Sequence, residues 1–215
     1  MEFFVLGTGG YAQTVADVVA NSVAAFDSAD LERLSCIGRV GPQAQFVDGR
    51  LSTPWLGEDE ILAELPRSIR FVLGVGAPPL REALWAHVCE LGFLPIPARR
   101  HPASVVSGDL EAGPGTVIAP LVVVTTNVLL GAGVKVQDGA SIGHEATVGH
   151  FSIINPKAVV AGCVHIGESV MIGAQAMVLE GRKVGDGARV GAGAVVTRDV
   201  PAGATVVGNP ARVVL

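Results

Sequence analysis

The chain is poor in three things: aromatic residues make up 5% of its 215 positions, charged residues 16%, and cysteine occurs three times. Each shortage removes a class of function. So few rings provide no stacking platform for unpaired bases, and a formal net charge of −5 leaves no basic field to draw in nucleic acid or an anionic membrane surface. Cys36, Cys89 and Cys163 are widely separated and form no CxxC pair. Neither a disulfide framework nor a zinc knuckle is therefore expected, and a reducing, cytoplasmic setting fits best. The opening MEFFVLGTGGYAQ has no basic leader and its apolar run stops at Gly7, which reads as a buried first strand and not as a signal peptide. No stretch approaches the roughly 20 apolar residues that span a bilayer.

What the chain has in quantity is glycine, 28 residues, and aliphatic side chains within a hydrophobic fraction of 49%. Glycine at this level favours tight turns and close backbone contacts. Glu2 to Leu6 reads as a strand, Gly7-Thr8-Gly9-Gly10 as a turn, and Tyr11 to Ala20 as a helix with apolar spacing at Val15, Val18 and Val19. Further strands are expected over Leu34 to Val40 and Phe71 to Val75, and an amphipathic helix over Leu80 to Leu91 that ends near Gly92. Strands alternating with helices predict a small parallel α/β sheet of Rossmann-like type. The proline-rich segment Pro95 to Pro102 reads as the boundary, giving an N-terminal domain over 1–98 and a second domain over 99–215.

Beyond that boundary the period changes to six. From Ile118 through Val124, Leu130 and Val136 to Val190 and Val196, every sixth residue is aliphatic, fourteen times in succession. Two places earlier stand small residues such as Ala140, Ala146, Ser152, Ala158, Ala176, Ala188 and Ala194. Three hexads close one turn of a triangular prism, so the pattern predicts an all-β, left-handed parallel β-helix whose sixth-position side chains fill the interior. A β-sandwich is excluded, because its strands require a period of two over longer runs.

Functional groups of such a prism come from its corners, two and three places after the aliphatic residue. His144 and Glu145 hold those two places after Ile142, and His150 the first of them after Val148. An imidazole beside a carboxylate is a general base with an orienting partner, which is what acyl transfer to an amine or hydroxyl needs. His150 reads as a solvated corner residue. Cys163, one 18-residue coil beyond Glu145, reads as a bystander thiol without a positioned base.

The segments LGTGGYAQTVADVV, HPASVVSGDLEAGPGTVIAP, SIGHEATVGHFSIINPKAVVAGCVHIG and AGAVVTRDVPAGATVVGNPAR together resemble the sialic-acid O-acetyltransferase-like family of hexapeptide-repeat acyltransferases. This family includes acetyl-CoA-dependent N-acetyltransferases of nucleotide-linked amino sugars. The resemblance implies that the N-terminal domain binds a sugar or nucleotide-sugar, that the β-helix binds acetyl-CoA, and that the sites lie between the subunits of a homotrimer. It places the catalytic histidine at His144, its carboxylate at Glu145, and CoA-contacting backbone at Gly162, Ala174 and Ala192, on one edge of the prism. Acceptor contacts are expected at Gly7, Gly9, Gly10, Tyr11, Arg39 and Gln137. Here the chain departs from the family, which usually has His at the Tyr11 position, an acidic pair after the second strand where this chain reads IGRVGPQ, and Asn at the Gln137 position. Ile153 replaces a second histidine that some members carry.

The leading expectation is direct transfer of acetyl to the amine of a nucleotide-linked amino sugar, without a covalent intermediate or a metal. O-acetylation of a free sugar such as a sialic acid uses the same residues and stays open beside it, as does a non-catalytic β-helical scaffold. A β-helical zinc enzyme needs three converging histidines, and His144, His150 and His165 do not show the spacing.

Overall fold

The structure is a computed structural model that describes residues 1–7, 10–24, 34–42 and 52–214. Its first part is built on β1 (Glu2–Leu6), α1 (Gly10–Ala20), β2 (Val23–Ala24), β3 (Ser35–Val40), β4 (Trp55–Gly57), β5 (Arg70–Leu73), α2 (Pro78–Glu90) and β6 (Leu94–Pro95). All strands but β2 form one parallel sheet in the order β4-β3-β1-β5-β6. The central strand β1 is buried on both sides, which explains its unbroken FFVL: Phe3 and Val5 join the cluster under α1, and Phe4 and Leu6 the cluster under α2. The expected Leu34 and Val75 fall just outside their strands, and β2, β4 and β6 were too short to show a period.

The chain leaves β1 toward β3 on one side and later returns to β5 on the other, so strand order reverses between β1 and β5. The crevice at the C-terminal ends of such strands is where open α/β sheets bind ligands. Gly7 takes φ +124° there, and an added Cβ would stand 2.8 Å from the Gly74 carbonyl oxygen. Gly74 in turn has no room for a side chain against Ala12, whose Cα would lie 2.8 Å from it. Two glycines thus let β1, β5 and the start of α1 close on one another.

From Arg99 onward, two-residue strands recur every six residues and pair in parallel with the strand 18 residues away, building a parallel β-helix of the left-handed type. The first face stacks strands from Arg99–Arg100 through Lys135–Val136 to Arg189–Val190, the second from Val105–Val106 to Val195–Val196, and the third from Glu111–Ala112 to Lys183–Val184. The stack begins one coil before Ile118. That coil escapes the aliphatic pattern because Arg100 and Ala112 stand at interior positions of the open end.

The interior is one cluster running from Leu110 to Val206. Each buried aliphatic there contributes about 2 kcal/mol of transfer free energy. The corners are sharp because, from Ala112 to Val190, the third residue after each interior position adopts positive φ. Glycine serves at 115, 133, 139, 181, 187 and 193, while Leu121, Asn127, Glu145, Phe151, Lys157, Cys163, Ser169 and Gln175 take the same conformation. The left-handed region costs a non-glycine residue about 1 kcal/mol or more. It is offset by a regular bond between coils: the N–H of each such residue donates to the corner below, as Glu145 does to the Thr126 carbonyl at 3.0 Å and Cys163 to the His144 carbonyl at 2.8 Å.

The first face carries the α/β part. Trp85 of α2 fits over Gly115 and Gly133 and packs edge-on against Phe151 (5.5 Å between centroids) and Phe71 (5.2 Å). Arg81 donates to the carbonyls of Val75 and Gly133, and β2 pairs antiparallel with Arg99–Arg100. No helix among the described residues is long and apolar enough to cross a membrane.

Candidate active site

The edge between the second and third faces is a column of polar corners: Thr126 and Asn127, His144 and Glu145, Gly162 and Cys163, then Glu180. His144 and Glu145 are held side by side because consecutive corner residues cannot both turn inward, and the left-handed backbone at Glu145 (φ +60°) swings its carboxylate beside the ring. His144 Nδ1 lies 3.1 Å from Glu145 Oε2, with the two side chains 51% and 59% exposed. The hydrogen bond from His144, then the contact with Cys163, hold the Glu145 carboxyl below the usual range. It is therefore ionised at neutral pH. A Nδ1–H donated to that carboxylate leaves Nε2 as the acceptor.

Gly162 lies one coil above this pair. A Cβ on it would stand 2.5 Å from His144 Nε2, so its lack of a side chain is the condition for the ring's position. Cys163 places its Sγ 3.6 Å from Glu145 Oε2, and desolvation followed by the hydrogen bond to Glu145 raises its thiol pKa. A protonated thiol is a poor nucleophile.

The expected site residues are not all brought together. Ala174 and Ala192 share the edge between the first and second faces, whereas Gly162 belongs to the edge of His144. The expectation of one common edge is corrected by the period itself: 162 and 174 are two hexads apart, hence two corners apart, while 174 and 192 are a full coil apart. Gly9 lies outside the described residues. Gly7 lines a cavity of about 190 Å³ with Val40, Gly41, Pro42, Asp59 and Val75. Gly10 opens α1 with nothing near its missing side chain. Tyr11 follows it, with its hydroxyl buried and without a hydrogen-bond partner, and desolvation pushes it up to about 12.

Arg39 is fully buried and donates through Nε and Nη2 to the Thr53 carbonyl. The expected ligand contact is corrected to a packing role, since a guanidinium with no exposed surface has none to offer an acceptor. Gln137 donates to Asn155 Oδ1 at 2.8 Å, one rung of a ladder that continues from Asn155 to the Ile172 carbonyl. His150 accepts from the Ala132 amide through Nδ1 at 2.8 Å, as Asp186 does from Glu168 at the equivalent corner, so it caps a coil. His165 instead meets Thr147 on the third face. His144, His150 and His165 thus occupy two different edges and a face.

Two features lay outside the reach of the hexad pattern. Lys135, on the outer side of the first face, is 2% exposed, and its Nζ, without a hydrogen-bond partner, sits 4.1 Å from the centre of the Tyr11 ring. The outer side of the second face is apolar and uncovered, with Val105 68%, Val123 40% and Met177 38% exposed.

Residues 163–198 match the model of the bacterial transferase hexapeptide (six repeats). A search of curated proteins gives no match. Among solved structures, the acetyltransferase domain of PglB from Neisseria gonorrhoeae in complex with acetyl coenzyme A is 29% identical, with a TM-score of 0.82 over 99% of this chain and 98% of that one. PerB from Caulobacter crescentus, in complex with CoA and GDP-perosamine, is 25% identical with a TM-score of 0.86 over 100% and 98%. WeeI from Acinetobacter baumannii is 25% identical with a TM-score of 0.83 over 100% of both chains.

Proposed function

We propose that this chain, which carries the bacterial transferase hexapeptide repeat over residues 163–198 and shares its fold over nearly its full length with the acetyltransferase domain of PglB and with PerB, transfers acetyl from acetyl-CoA to the amine of a nucleotide-linked amino sugar. The observation that carries this reading is the His144–Glu145 pair, held at 3.1 Å on an open corner with Nε2 free to accept a proton. As the acceptor amine attacks the thioester carbonyl, the new C–N bond forms and His144 takes the amine's proton. Collapse of the tetrahedral intermediate breaks the C–S bond, and the His144 imidazolium returns the proton to the departing sulfur, releasing CoA as its thiol and restoring the base. Glu145 keeps the productive tautomer and stabilises the imidazolium.

Acetyl-CoA is assigned to the corners. Among the described residues the amide N–H groups of Gly162, Ala174 and Ala192 donate to no acceptor, so they are available to the carbonyls of a pantetheine arm. Two of the three lie on a different edge from the base, and a second copy supplies the geometry that one chain lacks. The apolar second face lies between the two edges. Packed around a threefold axis, it brings the Ala174 edge of one subunit against the His144 edge of the next, which supports a homotrimer with shared sites. The acceptor is assigned to the crevice at Gly7, Gly10 and Tyr11, with Gln137 nearby on the first face.

A His144→Ala variant is expected to lose about 10² to 10⁴ in turnover while keeping its circular dichroism spectrum and acetyl-CoA affinity. Unchanged turnover removes the assignment. Acetylated product read by mass spectrometry with nucleotide-linked amino sugars and with free sugars decides between N-acetylation and the alternative O-acetylation.

A further inference from the structure

The proposed transfer uses His144 and Glu145 but gives Cys163 nothing to do. Yet the thiol is not simply adjacent. One ligand atom from each of His144, Glu145 and Cys163 lies within 4.8 Å of the other two, the one such constellation among the described residues. Their backbone positions are coupled by the coil-to-coil bond from the Cys163 amide to the His144 carbonyl. The side chains are exposed or half-buried and have room to rotate.

We propose that His144, Glu145 and Cys163 form a binding site for a divalent transition-metal ion of the zinc class, and that the bound ion switches the enzyme off. Nitrogen, oxygen and sulfur donors together select zinc or cobalt over magnesium or calcium, which take oxygen ligands. Bond lengths of about 2.0–2.3 Å put tetrahedral ligands about 3.4 Å apart. The Glu145–His144 and Glu145–Cys163 separations of 3.1 and 3.6 Å are already close to that. The fourth position faces solvent and takes water. On binding, the thiol gives its proton to solvent, the proton on His144 Nδ1 passes by way of solvent to Nε2, and the thiolate, the carboxylate and Nδ1 each donate a pair to the ion. With Nδ1 on the ion and the ring proton on Nε2, the imidazole can no longer take the acceptor's proton. Metal binding stands on the geometry alone, whereas the inhibitory consequence rests on the proposed function.

The test uses the full-length protein and cobalt(II) alone as the probe, because a cobalt–thiolate bond gives a sulfur-to-metal charge-transfer band. The band is expected at one equivalent in the wild type, absent in Cys163→Ser and weakened at least about tenfold in apparent affinity in His144→Ala. Zinc is expected to displace it. Cys36 and Cys89 remain in every variant, so a band that survives in Cys163→Ser, or none in the wild type, overturns the site. In the transfer assay, zinc is expected to inhibit the wild type reversibly on addition of EDTA. Cys163→Ser keeps its activity without zinc and needs about tenfold more zinc for the same inhibition. A Cys163-dependent band with full activity under saturating zinc overturns the switch. The same band on a protein that acetylates no acceptor overturns the proposed function and leaves the metal site standing.

Discussion

The ring of His144 occupies the space that a side chain on Gly162 would need: a Cβ there would lie 2.5 Å from Nε2 and 2.6 Å from Cε1. Gly162 is not among the residues with positive φ, so its requirement is one of clearance and not of backbone conformation. Gly162→Ala is accordingly expected to fold normally but to push the imidazole off its position. Displacement of a base by about 1 Å costs about 10² in turnover. Steady-state kinetics should show that loss in kcat with little change in melting temperature, and a variant with full kcat would refute the clearance argument.

In the proposed reaction Glu145 would orient the ring from an exposed position, so its removal should cost less than removal of the proposed base. For Glu145→Gln we expect kcat to fall about 10- to 100-fold with the KM for acetyl-CoA unchanged. Because the hydrogen bond from His144 holds the carboxyl below its usual range, Glu145 stays ionised above about pH 5. An acid limb of the wild-type pH–rate profile above that pH therefore belongs to another group. A limb that disappears in Glu145→Gln would contradict this.

Lys135 is buried against the Tyr11 ring with no hydrogen-bond partner, and burial followed by the nearby Arg81 charge drives its amine well below the ordinary lysine range. Replacement by an apolar side chain of similar length removes that cost. Lys135→Met is expected to be about 1–3 kcal/mol more stable at pH 7. The unfolded chain binds the proton up to about pH 10.4 while the folded chain releases it earlier. Wild-type stability relative to the variant therefore rises with pH across that interval, and the advantage of Lys135→Met shrinks. Denaturant melts of both proteins at pH 7 and pH 9 measure it, and a constant or growing gap would show the amine to be unperturbed.

Trp85 bridges the two parts of the chain, edge-on to Phe71 on one side and Phe151 on the other. Truncation to alanine leaves an unfilled space above Gly115 and Gly133. Because Trp85 is only half-buried, the expected loss is at the low end of the range for such truncations, about 3 kcal/mol, read as a lower denaturation midpoint. The Gly115 and Gly133 corners should become more protease-accessible while the β-helix core keeps its amide protection.

The period of six was sufficient to specify the prism, because every interior position from Ile118 to Val196 has to be aliphatic for neighbouring coils to stack, and that demand is local in the chain. Its phase also singled out His144 and Glu145 as corner residues. The same arithmetic missed the first coil, where Arg100 at an open end is released from the rule. Arg39 shows the opposite failure: an arginine at a strand end reads as a ligand contact, and only packing reveals that its guanidinium is enclosed with the Thr53 carbonyl.

Sequence by itself determined the β-helix, its interior, the α/β unit before it and the pairing of His144 with Glu145 at one corner, since each follows from a repeat or a spacing of a few residues. Tertiary structure alone decided which face of the prism is covered, that Lys135 is buried beneath Tyr11, and that Gly162 leaves the space that the His144 ring fills. Those relations join residues about 18 or more positions apart, or on separate elements. No local periodicity encodes them, because they depend on where side chains meet once the coils have stacked.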